Sequence, residues 1–282
     1  MDVQRRPTIA RVVGGLAMVS LTACGGGSSN PLSTAASTST STNTASASRA
    51  TNVWQGLADL EKFLLLYPDG MANGWRDCRS DASLRTSADD VGFIDALITR
   101  VAGERAIDLS RVYVTGASNG GMMSYRIAQE LATRIAGVGA VIANLPVDPM
   151  NLCRAATVPI TTVIINGTLD PLMPFAGGTV ALNAQSGMVR SAIETRDYWI
   201  SVNGCAVTPA SETLPDLDPT DGITTFRQSF TGCRSGTQVV FFRMDGGGHT
   251  MPSRQVVEAT ARQGRDIEGA EEIWRVLKNA RR

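Results

Sequence analysis

Short, continuous apolar runs interleaved with segments of helical period constrain this chain more than any other feature. The runs are Phe63–Tyr67, Arg111–Thr115, Ala136–Ala143, Ile160–Asn166 and Gln238–Met244. A strand that is apolar at every position has no face to offer water, so both of its faces must be covered. Strands of this kind alternating with helices predict an α/β fold with a mostly parallel sheet covered by helices on both faces.

The intervening segments support that reading. Trp54–Lys62 has apolar residues at helical spacing, with Trp54, Leu57, Ala58 and Leu60 along it. Asp89 or Asp90 can cap a helix running to about Val101, with Val91, Ile94, Leu97, Ile98 and Val101 on one face. Gly120–Thr133 places Met122, Met123, Ile127 and Leu131 inward, and Met188–Val202 ends at Asn203-Gly204, a helix stop. Asp266–Asn279 is a last helix with Ile267, Ala270, Ile273, Trp274 and Leu277 inward, and Thr224–Phe230 is a further strand. Trp54, Trp75 and Trp199 read as core residues.

The beginning of the chain is different in kind. Arg5, Arg6 and Arg11 precede Val12–Leu21, an apolar stretch too short to span a bilayer, and Leu21-Thr22-Ala23-Cys24 follows. Residues 1–23 read as a lipoprotein-type export signal with Cys24 as the lipidated residue. Anchoring would then come from burying acyl chains in a membrane. Residues 24–51, rich in Ser, Thr, Ala and Gly, read as a disordered tether, because they cannot bury enough surface to offset their ordering entropy. The catalytic domain is then 52–282, outside the cytoplasm, either extracellular or periplasmic. Cys78, Cys153, Cys205 and Cys233 are an even set that an oxidising compartment would pair. Cys205 with Cys233 is the preferred bridge, leaving Cys78 with Cys153. The chain carries 26 basic and 26 acidic residues and no long basic run, which argues against a nucleic-acid partner.

Three of the strands run into loops that carry chemistry. Arg111–Thr115 leads to Gly116-Ala117-Ser118-Asn119-Gly120, and Ile160–Asn166 leads to Gly167-Thr168-Leu169-Asp170-Pro171. Gln238–Met244 leads to Gly246-Gly247-Gly248-His249, which holds the chain's one histidine. A serine on a tight strand-to-helix turn, then an acid, then a histidine is the chain order of a Ser-Asp-His triad. Ser118 would attack an ester carbonyl, His249 would take its proton, and Asp170 would hold the imidazole. The Asn119 backbone N–H would be one oxyanion donor. Asp148 and Asp245 compete for the acid role, but Asp245 lies only four residues from His249. One histidine and dispersed cysteines form no zinc-ligand pattern, so neither a metal nor a cofactor is expected. No obligate protein partner is evident.

These segments resemble the polyhydroxybutyrate depolymerase-like esterases, a group that includes bacterial feruloyl and acetylxylan esterases. The resemblance runs over LLLYPDG (64–70), DDVGFIDALI (89–98), RVYVTGASNGGMMSYRIA (111–128), NGTLDPLMPF (166–175), NGC (203–205), GGGHTMP (246–252) and DIEGAEEIW (266–274). It implies an α/β-hydrolase fold and a secreted or lipid-anchored serine carboxylic-ester hydrolase with Ser118, Asp170 and His249 in the roles above. The implied substrates are polyhydroxyalkanoate-like esters or, alternatively, feruloyl or acetyl esters, small or oligomeric. A serine peptidase is a further chemical possibility that the resemblance argues against.

The chain departs from the family at Met251, where Trp is usual, and more deeply at its front. Family members carry an early strand ending in His-Gly, whose loop supplies a second oxyanion N–H. Residues 25–51 contain nothing that could form it. The fold is therefore expected to be N-terminally incomplete, with a gap or a re-pairing between Phe63–Tyr67 and Arg111–Thr115. That departure raises a third reading, a catalytically impaired lipoprotein remnant or binding module.

Overall fold

A computed structural model describes residues 15–21, 45–71, 74–80, 88–147, 152–180, 187–256 and 262–282. The apolar runs form strands as expected: β2 (Phe63–Leu66), β3 (Ile107–Ala117), β4 (Gly137–Val141), β5 (Thr161–Gly167) and β10 (Val239–Asp245). With β1 (Gly15–Leu21), β8 (Ala210–Thr213) and β9 (Thr224–Phe230) they make one eight-stranded sheet, in the order β2-β1-β3-β4-β5-β10-β9-β8. Pairing is parallel from β2 through β10 and antiparallel for the last two strands.

Period-two alternation explains why the inner strands are apolar at every position. Val112 and Val114 of β3, Ile164 of β5 and Val239 and Phe241 of β10 enter one core. Tyr113, Val163, Ile165, Val240, Phe242 and Met244 enter the core on the opposite face. The first face is covered by α2 (Asp90–Glu104), α3 (Asn119–Glu130) and α4 (Ala192–Asn203), with Ile94, Ile98, Met122, Met123, Ile127 and Trp199 in the core. The second is covered by α1 (Ala45–Glu61) and α5 (Gly269–Leu277), through Trp54, Ala58, Ile273, Trp274 and Leu277. Trp75 and Trp199 are wholly buried and Trp54 nearly so, as core residues should be.

Several expectations are corrected. Among the described residues the sheet has no gap there: Gly15–Leu21, read from sequence as the apolar part of an export signal, lies as β1 between β2 and β3. Its backbone pairs Leu16–Val19 with Phe63–Leu66 on one side and Ala17–Leu21 with Val112–Gly116 on the other. An apolar run with β-forming residues meets the demands of a strand between two strands as well as those of a signal. β1 thus occupies the position between β2 and β3 where a gap or a re-pairing was expected. The end of the supposed tether, Ala45–Thr51, is the first part of α1. Leu60, one of the apolar residues at helical spacing, is 75% exposed.

Helix α4 begins at Ala192 rather than Met188 because Ser191 caps it. Ser191 Oγ accepts from the Glu194 N–H at 3.0 Å, and the Glu194 carboxylate accepts from the Ser191 N–H at 2.8 Å. Met188–Val189 is instead β7, antiparallel to β6 (Gly178–Thr179). The expected stop holds, with Gly204 in the left-handed region at φ 61°. Residues 22–44, including the lipidation candidate Cys24, and Asp148 lie outside the described residues.

Both expected disulfides are present. Cys205–Cys233 ties the end of α4 to the turn after β9, and Cys78–Cys153 ties the loop after β2 to the segment after β4.

Candidate active site

β3, β5 and β10 are parallel and adjacent or nearly so, so their C-terminal ends open on the same edge of the sheet. Ser118 follows β3, Asp170 follows β5 by three residues, and His249 follows β10 by four. The structure brings the three together. His249 Nε2 lies 2.9 Å from Ser118 Oγ, and His249 Nδ1 lies 2.7 Å from Asp170 Oδ2. An ionised carboxylate only accepts, so Nδ1 carries the hydrogen and Nε2 is left to accept from the serine hydroxyl. Asp245, the competing acid, is paired with Arg243 at 2.8 Å instead.

Each side chain is aimed by local structure. Ser118 sits at φ 54° and ψ −123°, a costly backbone for a residue with a Cβ. Its N–H donates to Val141 O at 2.9 Å, and its carbonyl accepts from the Met122 N–H at 2.9 Å. Ile142, the residue just after β4, also has positive φ, 47°, held by its N–H on Ile165 O at 2.7 Å. The bend that presents Ser118 is therefore locked by strained backbone at the ends of two adjoining strands. Gly121 lets α3 sit close to the sheet, since a Cβ there would lie 2.7 Å from the Ala143 Cβ.

Asp170 holds its place through an Asx-type turn. Its Oδ1 accepts from the Leu172 and Met173 N–H groups, both at 2.8 Å, leaving Oδ2 for the imidazole. Its carboxylate is wholly buried, whereas the His249 side chain is 15% exposed, so the pair is shielded on the acid side and open on the histidine side. The glycines before His249 are used for close approach. Gly246 has φ 89°, and a Cβ there would meet Gly222 O at 2.6 Å.

The Asn119 backbone N–H opens α3 beside Ser118. Helix N-termini favour developing negative charge, which suits an oxyanion donor. Sequence reasoning did not foresee the Asn119 side chain. That amide is buried and bonded to the loop after β2: Oδ1 accepts from the Trp75 N–H at 2.7 Å, and Nδ2 donates to Trp75 O at 2.9 Å and Asp77 Oδ2 at 2.7 Å. The only sequence signal was an acid wedged between Trp75 and Cys78, too common a pattern to single out. β1 ends at Leu21, paired with Gly116, so the chain leaves the sheet beside the serine turn.

No protein-family model matches the chain. It is 33% identical over 220 residues to "Putative esterase NocK" of Nocardia uniformis subsp. tsuyamanensis, covering 73% of this chain and 63% of that protein. It is 29% identical over 196 residues to "Probable feruloyl esterase C" of Aspergillus niger, covering 69% and 60%. The chain spans about three fifths of the length of these curated relatives. Among solved structures it is similar to the acetyl xylan esterase from Aspergillus awamori, with a TM-score of 0.51, 18% identity and 85% of each chain covered. The parallel sheet, the strained serine turn ahead of α3 and this structural likeness give the chain the α/β-hydrolase fold.

Proposed function

We propose that this chain is a serine carboxylic-ester hydrolase in which Ser118 is the nucleophile, His249 the general base and Asp170 the acid that orients it. The observation that carries this reading is the hydrogen-bonded line from Ser118 Oγ through the imidazole to the Asp170 carboxylate. In the first step Ser118 Oγ adds to the ester carbonyl as its proton passes to Nε2, and the oxyanion gathers at the Asn119 N–H. The imidazolium, stabilised by Asp170, then protonates the departing alcohol. Water enters, gives its proton to the same nitrogen and attacks the acyl-serine, and collapse of the second tetrahedral species frees the acid.

For substrate we favour feruloyl or acetyl esters over polyhydroxyalkanoate-like polyesters. The support is the similarity to a probable feruloyl esterase and, in fold, to an acetyl xylan esterase. Low aromatic content, 5% of residues, also suits soluble esters better than attack on a solid polymer. Two disulfides fit an exported enzyme. Anchoring through Cys24 and retention of β1 exclude one another in a single molecule, because a cut before Cys24 removes Gly15–Leu21. The remnant reading rests on the expected absence of a second oxyanion loop, and β1 bears only on the strand that would precede it.

The test is hydrolysis of p-nitrophenyl acetate, methyl ferulate and a 3-hydroxybutyrate oligomer by the full chain beside Ser118→Ala. We expect kcat/KM on the first two to exceed that on the oligomer, and the alanine variant to fall by about 10³-fold or more. Activity that survives in Ser118→Ala removes the reading.

A further inference from the structure

The loop after β2 is built more elaborately than a connection requires. Within Trp75–Arg79, the Trp75 backbone exchanges two hydrogen bonds with the Asn119 amide, and Asp77 accepts a third from it. Asp77 is itself gripped by Arg79, whose Nε lies 3.0 Å from Oδ1 and whose second guanidinium nitrogen lies 2.6 Å from Oδ2. Both side chains of this ion pair are about 1% exposed or less. Between them, Cys78 is bonded to Cys153. The loop is pinned again at Arg76, whose N–H donates to Asp90 Oδ2 at 2.6 Å and whose carbonyl accepts from Arg126 at 2.6 Å.

A buried ion pair between residues so close in sequence is a poor source of stability, since desolvation offsets most of the attraction. What it does here is fix a carboxylate oxygen against the side chain of the residue that follows the nucleophile. The peptide between Ser118 and Asn119 carries the candidate oxyanion N–H, and it joins a residue at φ 54° to one whose side chain is held by three hydrogen bonds. Anchoring that side chain fixes the Asn119 Cα and Cβ and so narrows the directions its N–H can take.

We propose that Asp77, held by Arg79 and by the Cys78–Cys153 bridge, is a positioning residue for ester hydrolysis: through the Asn119 side chain it aims the Asn119 backbone N–H at the oxyanion. This rests on the assignment of Ser118 and the Asn119 N–H made above. Asp77 touches no reacting atom. Its effect belongs to the transition state, where charge on the carbonyl oxygen is greatest, and not to ground-state ester binding.

Two variants remove the link from opposite sides. Asn119→Ala deletes the amide and leaves the Asp77–Arg79 pair whole. Asp77→Leu with Arg79→Met deletes the carboxylate without stranding a buried cation. For p-nitrophenyl acetate hydrolysis, per folded molecule by circular dichroism, we expect kcat to drop roughly tenfold to a hundredfold in each, with KM within about twofold. The combined triple variant should be no slower than the slower of the two, because both act through one link. A folded Asn119→Ala enzyme with wild-type kcat overturns the proposal, as do losses that multiply in the triple variant. If Asp77→Leu/Arg79→Met does not fold, Asn119→Ala alone decides through its split between kcat and KM. Wild-type hydrolysis that persists in Ser118→Ala would instead remove the nucleophile assignment, and this inference with it.

Discussion

Replacing Gly167 with alanine should disable the site without touching any of its three side chains. Gly167 ends β5 and lies against the loop that carries His249. A Cβ at this position would stand 2.4 Å from Gly247 O and 2.5 Å from Gly247 C, both backbone atoms that no rotamer change can move. Carbon and carbonyl oxygen settle at about 3.3 Å, so the two loops must part by about 0.9 Å. The Leu169 N–H bond to Gly247 O, 2.8 Å long, spans the same seam. Asp170 and His249 sit three and two residues beyond the clash, joined by a 2.7 Å bond. If the displacement reaches them undiminished, that bond opens to about 3.6 Å, beyond hydrogen-bonding range. A misplacement of this size costs on the order of 10²-fold in rate, and overpacking adds about 1–3 kcal/mol of instability. Steady-state hydrolysis of p-nitrophenyl acetate gives the first quantity and a thermal melt the second. Because His249 is the chain's one histidine, a downfield imidazole N–H proton resonance reports the Asp170 bond without ambiguity. A folded Gly167→Ala protein with wild-type kcat and an unshifted resonance refutes the reasoning.

Other outcomes follow from the same coordinates. A chain beginning at Cys24 lacks β1 and leaves β2 and β3 without their shared neighbour, so its melt should lose cooperativity and its Ser118-dependent hydrolysis should vanish; equal melting and activity of 24–282 and 1–282 would show that β1 is dispensable. Burial raises the Glu268 carboxyl above its ordinary 4.5, against the opposing pull of the Ser253 hydroxyl. A raised folded value means stability is full below 4.5 and lost as pH rises through the folded value, so Glu268→Gln should raise the neutral-pH Tm and leave the acid Tm nearly unchanged; an identical pH profile in the variant contradicts this. Loop-closure entropy assigns about 4.5 kcal/mol to Cys78–Cys153, with a separation of 75, and about 3.6 kcal/mol to Cys205–Cys233, with a separation of 28. Denaturant melts of the paired serine variants should show both losses in that order, and unchanged midpoints would rule the entropic account out.

Much of the site was legible before any coordinates. Ser118, Asp170 and His249 each follow an apolar run, and parallel strands deliver their C-terminal loops to one edge, so chain order and periodicity were enough to bring them together. The same logic separated Asp170 from Asp245, which turns to Arg243. Two segments satisfied two sets of rules. Gly15–Leu21 is apolar and short, which serves a cleaved signal and a central strand alike, and only pairing with β2 and β3 distinguishes them. Met188–Val189 kept helical spacing, yet Ser191 made the better cap and β6 offered a partner.

The sequence by itself determined the covered parallel sheet, the order of the chemical groups and the turn that bends at Ser118, because these depend on local periodicity and on backbone preferences of neighbouring residues. Only the tertiary structure decided that Asp77 faces Asn119 across 42 residues and that Gly167 abuts Gly247. Such contacts are set by how strands and loops stack in space, and no local pattern of residues carries that distance.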